Sequence, residues 1–232
     1  MKIKKGMILA AGFGKRMMPM TKKIPKPLIS IGKISLLENC LIQLRDFGVN
    51  EIVINTHYLS EEMKKYISEK NFSLKIKIYE EKKILDTGGG ILNATNKFGN
   101  EPFIVINPDT IWKKNHIKEL QYLEKKYFTR KSTSILLVDK NRSYDKSFRG
   151  DFNLDEKGLV TRDKANKMIY TGAQIMDQSI FKNYKVEPFS INKIWDQLIK
   201  KKSLYGLESN QDFLHINSIE IYKKIIKENF IY

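Results

Sequence analysis

A short apolar run, GMILAA at residues 6–11, enters a loop with glycines at 12 and 14. Five cations follow, Lys15, Arg16, Lys22, Lys23 and Lys26, the last set between Pro25 and Pro27. Small residues let a backbone come close to a ligand, and the N–H groups of such a loop suit phosphate oxygens. Arg16 offers a planar fork to a polyphosphate, and Lys26 a compact point charge. The two prolines stiffen the chain around Lys26, and Pro27 favours an extended geometry for it, so its ammonium group is aimed at little entropic cost. Two familiar phosphate loops are excluded. A P-loop needs Ser or Thr where Arg16 stands and a glycine where Leu9 stands, and a dinucleotide fingerprint needs a third glycine where Met17 stands. On composition alone, a plain strand-to-helix turn with solvated lysines accounts for the loop as well as a phosphate grip does.

Two further features could do chemistry. LDTGGGI, residues 85–91, reads as a second glycine-rich turn leading into a helix. Three glycines in a row are costly unless a ligand or another backbone comes close. Asp109 follows an apolar run, a place from which a carboxylate holds Mg²⁺ over a phosphate or caps the next element. The three histidines form no metal cluster or nucleophilic triad: His116 reads as a first-turn surface residue and His57 as a loop residue after a strand. Cys40, the only cysteine, falls in the apolar helical pattern LLENCLIQL and reads as a buried thiol of a reducing compartment.

These residues must be positioned by alternating strands and helices. GMILAAG, EIVIN and PFIVIN are short buried strands, and LKIKIYEE is a half-buried one. SLLENCLIQLRDF is a helix stopped by Gly48, and SEEMKKYISEK a helix with Ser60 as N-cap. Strands separated by helices imply an α/β fold, a Rossmann-like, mainly parallel sheet with helices on both faces. Such sheets bind ligands beyond the carboxyl ends of their strands, where the first loop, the NTHYL segment and Asp109 all fall. Beyond residue 130 come a strand (STSILLVD), a hairpin turned at Glu156-Lys157-Gly158, a strand (IYTGAQIMD) and a helix (NKIWDQLIKKKS). We read a mixed sheet with a small antiparallel excursion serving as a substrate lid. The 232 residues form one domain, with a nucleotide-side half at 1–110 and a second half at 111–232.

The net charge of +16 raises nucleic acid as a partner, but the lysines are dispersed in pairs along the chain, which fits solvated faces and attraction of small anions better. No apolar run nears the roughly 18 residues of a membrane span. The apolar stretch near the amino terminus is too short for a signal peptide, so a cytoplasmic location is expected.

Taken in order, MILAAGFGKRM, PKPLISIG, LLEN, EIVIN, LDTGGGI and NPD resemble the motifs of the sugar-1-phosphate nucleotidyltransferases. The likeness continues through GDFNLDEKG, YTGAQIM, INKIWDQLI and FLHINSIE, nearly the whole chain. The glycine turn is most similar to that of the N-acetylmuramate-1-phosphate uridylyltransferases, followed by the mannose-1-phosphate guanylyltransferases. The resemblance implies a nucleotide-diphospho-sugar transferase fold and attack of a sugar-1-phosphate on the α-phosphorus of a nucleoside triphosphate, UTP before GTP. It implies that Leu9, Ala10, Ala11, Gly12 and Gly14 wrap the nucleotide, that Arg16 and Lys26 act on the phosphates, and that Glu81, Asp86, Thr87 and Gly88 border base and ribose. Asp109 would bind Mg²⁺, and Gly150, Asp163, Lys164, Thr171 and Gly172 would surround the sugar phosphate.

Two departures stand out. The family's Gly-Asp is Pro108-Asp109, and where it places a second metal carboxylate near the carboxyl end, this chain has His215, with Asn217 in place of a glycine. Imidazole is a poor ligand for Mg²⁺. Three readings follow: Asp212 reaches in, His215 joins Asp109 on a metal more tolerant of nitrogen such as Mn²⁺, or the transferase is impaired and the chain acts as a sugar-nucleotide sensor. A packed or surface histidine with no metal accounts for His215 equally well.

Overall fold

The computed structural model describes residues 1–228. Its strands and helices in chain order are β1 (Lys5–Leu9), β2 (Ser30–Ile31), β3 (Ile34–Ser35), α1 (Leu36–Phe47), β4 (Glu51–Thr56), α2 (Ser60–Ser68), β5 (Lys75–Glu80), α3 (Asp86–Thr95), β6 (Phe103–Ile106), α4 (His116–Arg130), β7 (Ser134–Asp139), β8 (Asn153–Leu154), β9 (Val160–Thr161), β10 (Met168–Met176), α5 (Asn192–Lys200), β11 (Tyr205–Ser209) and α6 (Ile219–Lys227). Seven strands form one sheet in the order β11-β7-β10-β6-β1-β4-β5. β6, β1, β4 and β5 run parallel, β10 runs against both β6 and β7, and β11 is parallel to β7.

The sheet is buried on both faces, which is why its central strands are uninterrupted apolar runs. Ile8, Ile54, Ile104 and Ile106 face a core shared with Leu37, Leu41 and Leu44 of α1 and Leu120 and Leu123 of α4. Met7, Val53, Phe103 and Val105 face the other way, onto Ile91 and Ala94 of α3 and Ile194 and Trp195 of α5. A third cluster packs α6, through Ile225, against Met17, Ile29 and Leu214. α1 has the start and stop its sequence signals. Ser35 and Glu38 form a reciprocal capping box, and Gly48 closes the helix with φ 112°.

Four expectations are corrected. Ser60 is the first helical residue of α2, not its cap; Leu59 takes the cap position with φ 53°, and the Ser60 hydroxyl meets Thr56 Oγ1 at 2.9 Å. His116 is buried, its ring edge-on to Trp112 and its Nδ1 accepting the Lys113 N–H at 2.9 Å. Lys26 opens a 3-10 turn where an extended residue was expected. The hydrogen bond from Leu28 N–H to the Pro25 carbonyl, 2.8 Å, closes that turn and outweighs the pre-proline preference. The three glycines at 88–90 lie inside α3 itself and not in a turn before it. The 153–161 hairpin forms where the sequence places it, and it is tied to the sheet edge by Val160 N–H to the Leu204 carbonyl and Gly206 N–H to the Gly158 carbonyl.

Candidate active site

The carboxyl ends of β1, β4, β5 and β6 open into one cavity of about 420 Å³. Its wall includes Leu9, Ala10, Ala11, Gly12, Gly14, Lys15, Arg16, Lys26, Asn55, Glu81, Asp86, Thr87, Asn107, Asp109 and Asn217. Parallel strands deliver these residues because their carboxyl ends lie on one side of the sheet. The first loop is held by Gly14, whose φ of 63° suits glycine; a Cβ there would sit 2.9 Å from Thr21 Cγ2. Its carbonyl accepts from Met17 N–H (2.8 Å) and Thr21 Oγ1 (3.0 Å). The amides of Gly12, Phe13 and Gly14 have no protein acceptor among the described residues. They remain free for an anion, with Lys15 and Arg16 beside them. Phe13 and Ile84, each a little over a third exposed, put apolar surface at the rim.

A buried chain of hydrogen bonds ties the nucleotide-side loops together. Ala10 N–H donates to Asn55 Oδ1 (2.9 Å), Asn55 Nδ2 to Glu81 Oε1 (2.7 Å), and Leu85 N–H to Glu81 Oε2 (2.8 Å). The β1, β4 and β5 loops are thereby locked to one another. Asn55, the penultimate residue of β4, opens the NTHYL segment that the sequence places at the site; the sign of its own role is an amide where apolar residues prevail. Ala10 lines the cavity, but its N–H is spent on Asn55.

Across the cavity, Lys26 Nζ meets Asp109 Oδ2 at 2.7 Å, and His215 Nε2 lies 3.2 Å from the same oxygen. Burial alone would raise the Asp109 carboxyl, but the Lys26 ammonium and the His215 ring outweigh it and hold it far below the usual carboxylate range. The glycine loop and its cations thus face a fixed, ionised carboxylate across a cleft open to a phosphorylated ligand.

The model of the family described as "Nucleotidyl transferase" matches residues 5–150. This chain belongs to the nucleotidyl transferase family. Among its relatives, this nucleotidyl transferase is 28% identical over 218 residues to the N-acetylmuramate alpha-1-phosphate uridylyltransferase of Caulobacter vibrioides, covering 90% of each chain. It is also 28% identical over 228 residues to the D-glycero-alpha-D-manno-heptose 1-phosphate guanylyltransferase of Campylobacter jejuni, covering 96% of this chain and 98% of that one. Among solved structures, HddC from Yersinia pseudotuberculosis superposes with a TM-score of 0.76 at 25% identity, over 98% of this chain and 100% of that one. UDP-glucose pyrophosphorylase complexed with UDP-glucose gives 0.81 at 20% identity over 98% of each, which shows the shared fold.

The nucleotidyl transferase places the other expected residues less uniformly. Gly88 is outside the cavity wall: its N–H and that of Gly89 donate to the Phe189 carbonyl at 2.9 and 3.1 Å. A Cβ on Gly88 would meet the Phe189 ring at 2.3 Å, and one on Gly89 the Glu187 carbonyl at 2.1 Å. Another backbone, not a ligand, is what these two glycines admit. Thr171 is buried and its hydroxyl donates to the Leu136 carbonyl (2.9 Å). Gly172 sits against Asn107, which lines the cavity. Gly150 lies against the Asn166 carbonyl, while Asp163 and Lys164 are exposed in the 162–167 loop, where Asp163 Oδ1 accepts the Ala165 N–H. None of these five lines the cavity, nor does the 153–161 hairpin. His57 stays behind the wall, its Nδ1 2.7 Å from the Glu81 carbonyl. Asp212 is exposed and also outside the cavity, so it does not replace the missing carboxylate.

A hard divalent cation fits this wall in part. Asp109 Oδ1 is buried and has no hydrogen-bond partner, an oxygen left over for a ligand not made of protein. Among the described residues no three His, Cys, Asp or Glu side chains converge on one point. Mg²⁺ is often held by one carboxylate, with waters and substrate phosphates supplying the other oxygens, and Asp109 suits that arrangement.

Proposed function

We propose that this nucleotidyl transferase joins a nucleoside triphosphate to a sugar-1-phosphate, releasing pyrophosphate. The observation that carries the reading is the cavity itself: free loop amides, Lys15, Arg16 and Lys26 gather opposite Asp109. A sugar-phosphate oxygen attacks the α-phosphorus as the α–β bridging bond breaks, and the departing charge stays on pyrophosphate. Both reactants are anions, so positioning and charge neutralisation carry most of the catalysis. The loop amides and Arg16 hold the triphosphate, and Lys26 leaves Asp109 to neutralise charge at the reacting phosphate. A divalent cation such as Mg²⁺, or Mn²⁺, would supply further neutralisation when held by Asp109. The apolar rim of Phe13 and Ile84 suits a nucleobase.

UTP with N-acetylmuramate-1-phosphate is the favoured pair, supported by likeness to the Caulobacter relative, and would place the enzyme in cytoplasmic cell-envelope metabolism such as peptidoglycan recycling. A GTP-using reading is supported by the equally similar Campylobacter relative, with a manno-heptose 1-phosphate, and by a mannose-1-phosphate guanylyltransferase of Arabidopsis thaliana, with mannose-1-phosphate. Crossing the four common nucleoside triphosphates with these sugar-1-phosphates and measuring pyrophosphate separates them. UTP-dependent release with N-acetylmuramate-1-phosphate supports the first, GTP-dependent release the second, and no release with any pair sinks both.

A further inference from the structure

Asn217 holds an orphaned oxygen on the cavity wall. The segment 214–216 runs antiparallel to residues 109–111, with Ile111 N–H donating to the Leu214 carbonyl (2.9 Å) and Ile216 N–H to the Asp109 carbonyl (2.7 Å). That pairing sets His215 across from Thr110 and brings Asn217 to the same cavity as Asp109. Asn217 Nδ2 donates to Asp145 Oδ2 at 2.6 Å. A carboxylate only accepts, so the amide nitrogen must face Asp145, and the orientation of Asn217 is settled by chemistry. Asp145 is itself fixed, its Oδ1 accepting the Ser147 N–H at 2.9 Å. Asn217 Oδ1 is then buried with no donor, as Asp109 Oδ1 is. Asn107 Oδ1 is a third such oxygen on a residue of this wall, and unsatisfied oxygens are costly unless something positively charged or proton-bearing meets them.

His215 is arranged differently. Its Nε2 lies 3.2 Å from Asp109 Oδ2, the oxygen that Lys26 Nζ also meets, and its Nδ1 is buried without a partner. The ring is stacked on Phe213 and edge-on to Phe148, and it does not line the cavity.

We infer that Asn217 Oδ1 joins Asp109 as an oxygen ligand of the divalent cation, with Asp145 as the residue that orients it and His215, packed against Phe213 and Phe148, outside the ligand set. The inference draws on the nucleotidyl-transfer reading only for the presence of a cation. A neutral amide oxygen suits a hard ion, and the outer hydrogen bond to Asp145 plays the usual part of partners that aim metal ligands.

Mn²⁺ is the probe, added to the full chain with and without a non-hydrolysable triphosphate analogue and followed by electron paramagnetic resonance. We expect a bound ion that shows no imidazole nitrogen coupling, and a carbon coupling when asparagine side chains carry ¹³C at the carbonyl. The carbon coupling disappears in Asn217→Leu, and Mn²⁺ affinity falls about tenfold or more, within the range seen when metal-site partners are removed. Asp145→Asn weakens binding by less, and His215→Ala changes it by no more than a few-fold. Nitrogen coupling in the unmutated protein that is lost in His215→Ala would overturn the inference, as would unchanged Mn²⁺ binding in Asn217→Leu or no bound ion under either condition. The spectrum of the unmutated chain keeps the test valid if a variant fails to fold. Mn²⁺ bound through Asn217 with no pyrophosphate release would overturn the transfer reading alone; turnover with nitrogen-coupled Mn²⁺ would overturn this inference alone.

Discussion

The two sides of the cavity differ in how their polar groups are satisfied. On the side built by β1, β4 and β5, Ala10, Asn55, Glu81 and Leu85 consume one another's hydrogen bonds, so the frame of that wall is fixed, and among the described residues the amides of Gly12, Phe13 and Gly14 are left open. On the side built by β6 and the segment before α6, buried polar atoms of Asn107, Asp109 and Asn217 have no partner, and those of Tyr170, Gln174 and His215, off the cavity wall, have none either. Native proteins leave few such groups, and a concentration of them marks where something non-protein is received. On the proposed reading, the first side would serve as a rest for the nucleotide, and the second would be satisfied when cation and second substrate bind.

Substitutions on the two sides should therefore fail in different ways. The largest effect is expected from Asp109→Ala, which removes the carboxylate of the unsatisfied side. Pyrophosphate release should drop by roughly 10²–10³-fold, the scale of a lost electrostatic stabiliser, and raising the divalent cation should not restore it. Asn55→Ala strikes the satisfied side and strands the Ala10 N–H and one Glu81 oxygen. Its cost should appear as about 1–3 kcal/mol of stability in urea unfolding, with a raised KM for the triphosphate. Gly89→Ala sets a gain in helix propensity of up to ~1 kcal/mol against a collision with the Glu187 carbonyl. Backbone yields little, so overpacking of about 1–3 kcal/mol wins and Tm falls. Gly12→Ala is the mildest, since a Cβ there meets nothing within 4 Å. Tm should hold steady while triphosphate affinity weakens, because the methyl group enters space that only a ligand occupies. A fall in Tm without loss of affinity would break the distinction between the two sides.

The satisfied side was the more readable in sequence. Its strands are apolar runs, and the first loop carries glycine and cations within a few residues, so local pattern marked that loop, while Glu81, Asp86 and Thr87 came from the resemblance to the family; all of these reach one wall. What escaped depends on distant partners. Nothing near residues 88–89 announces that Phe189 and Glu187 press on them from a hundred residues away, so the sequence left open whether a ligand or another backbone comes close there. The bond between Asn55 and Glu81 spans 26 positions. On the unsatisfied side, His215 drew notice as a departure from a motif, yet the orientation of Asn217 follows from Asp145, 72 residues earlier, and the strand-like pairing with 109–111. The exposed 162–167 loop shows the converse: Asp163 and Lys164 matched a motif, and the structure leaves them outside the cavity wall.

The central claim is that the glycine loop and Lys26 form a phosphate grip working against Asp109. Lys26→Gln addresses it most directly, because a glutamine amide can still donate to Asp109 Oδ2 while the charge is gone. Turnover should be followed as sugar-1-phosphate-dependent pyrophosphate release, beside a thermal melt of the same preparation. The account predicts a fall of about a hundredfold or more, roughly 3 kcal/mol of barrier, with the melt little changed. A folded Lys26→Gln protein turning over near the unmutated rate would contradict it.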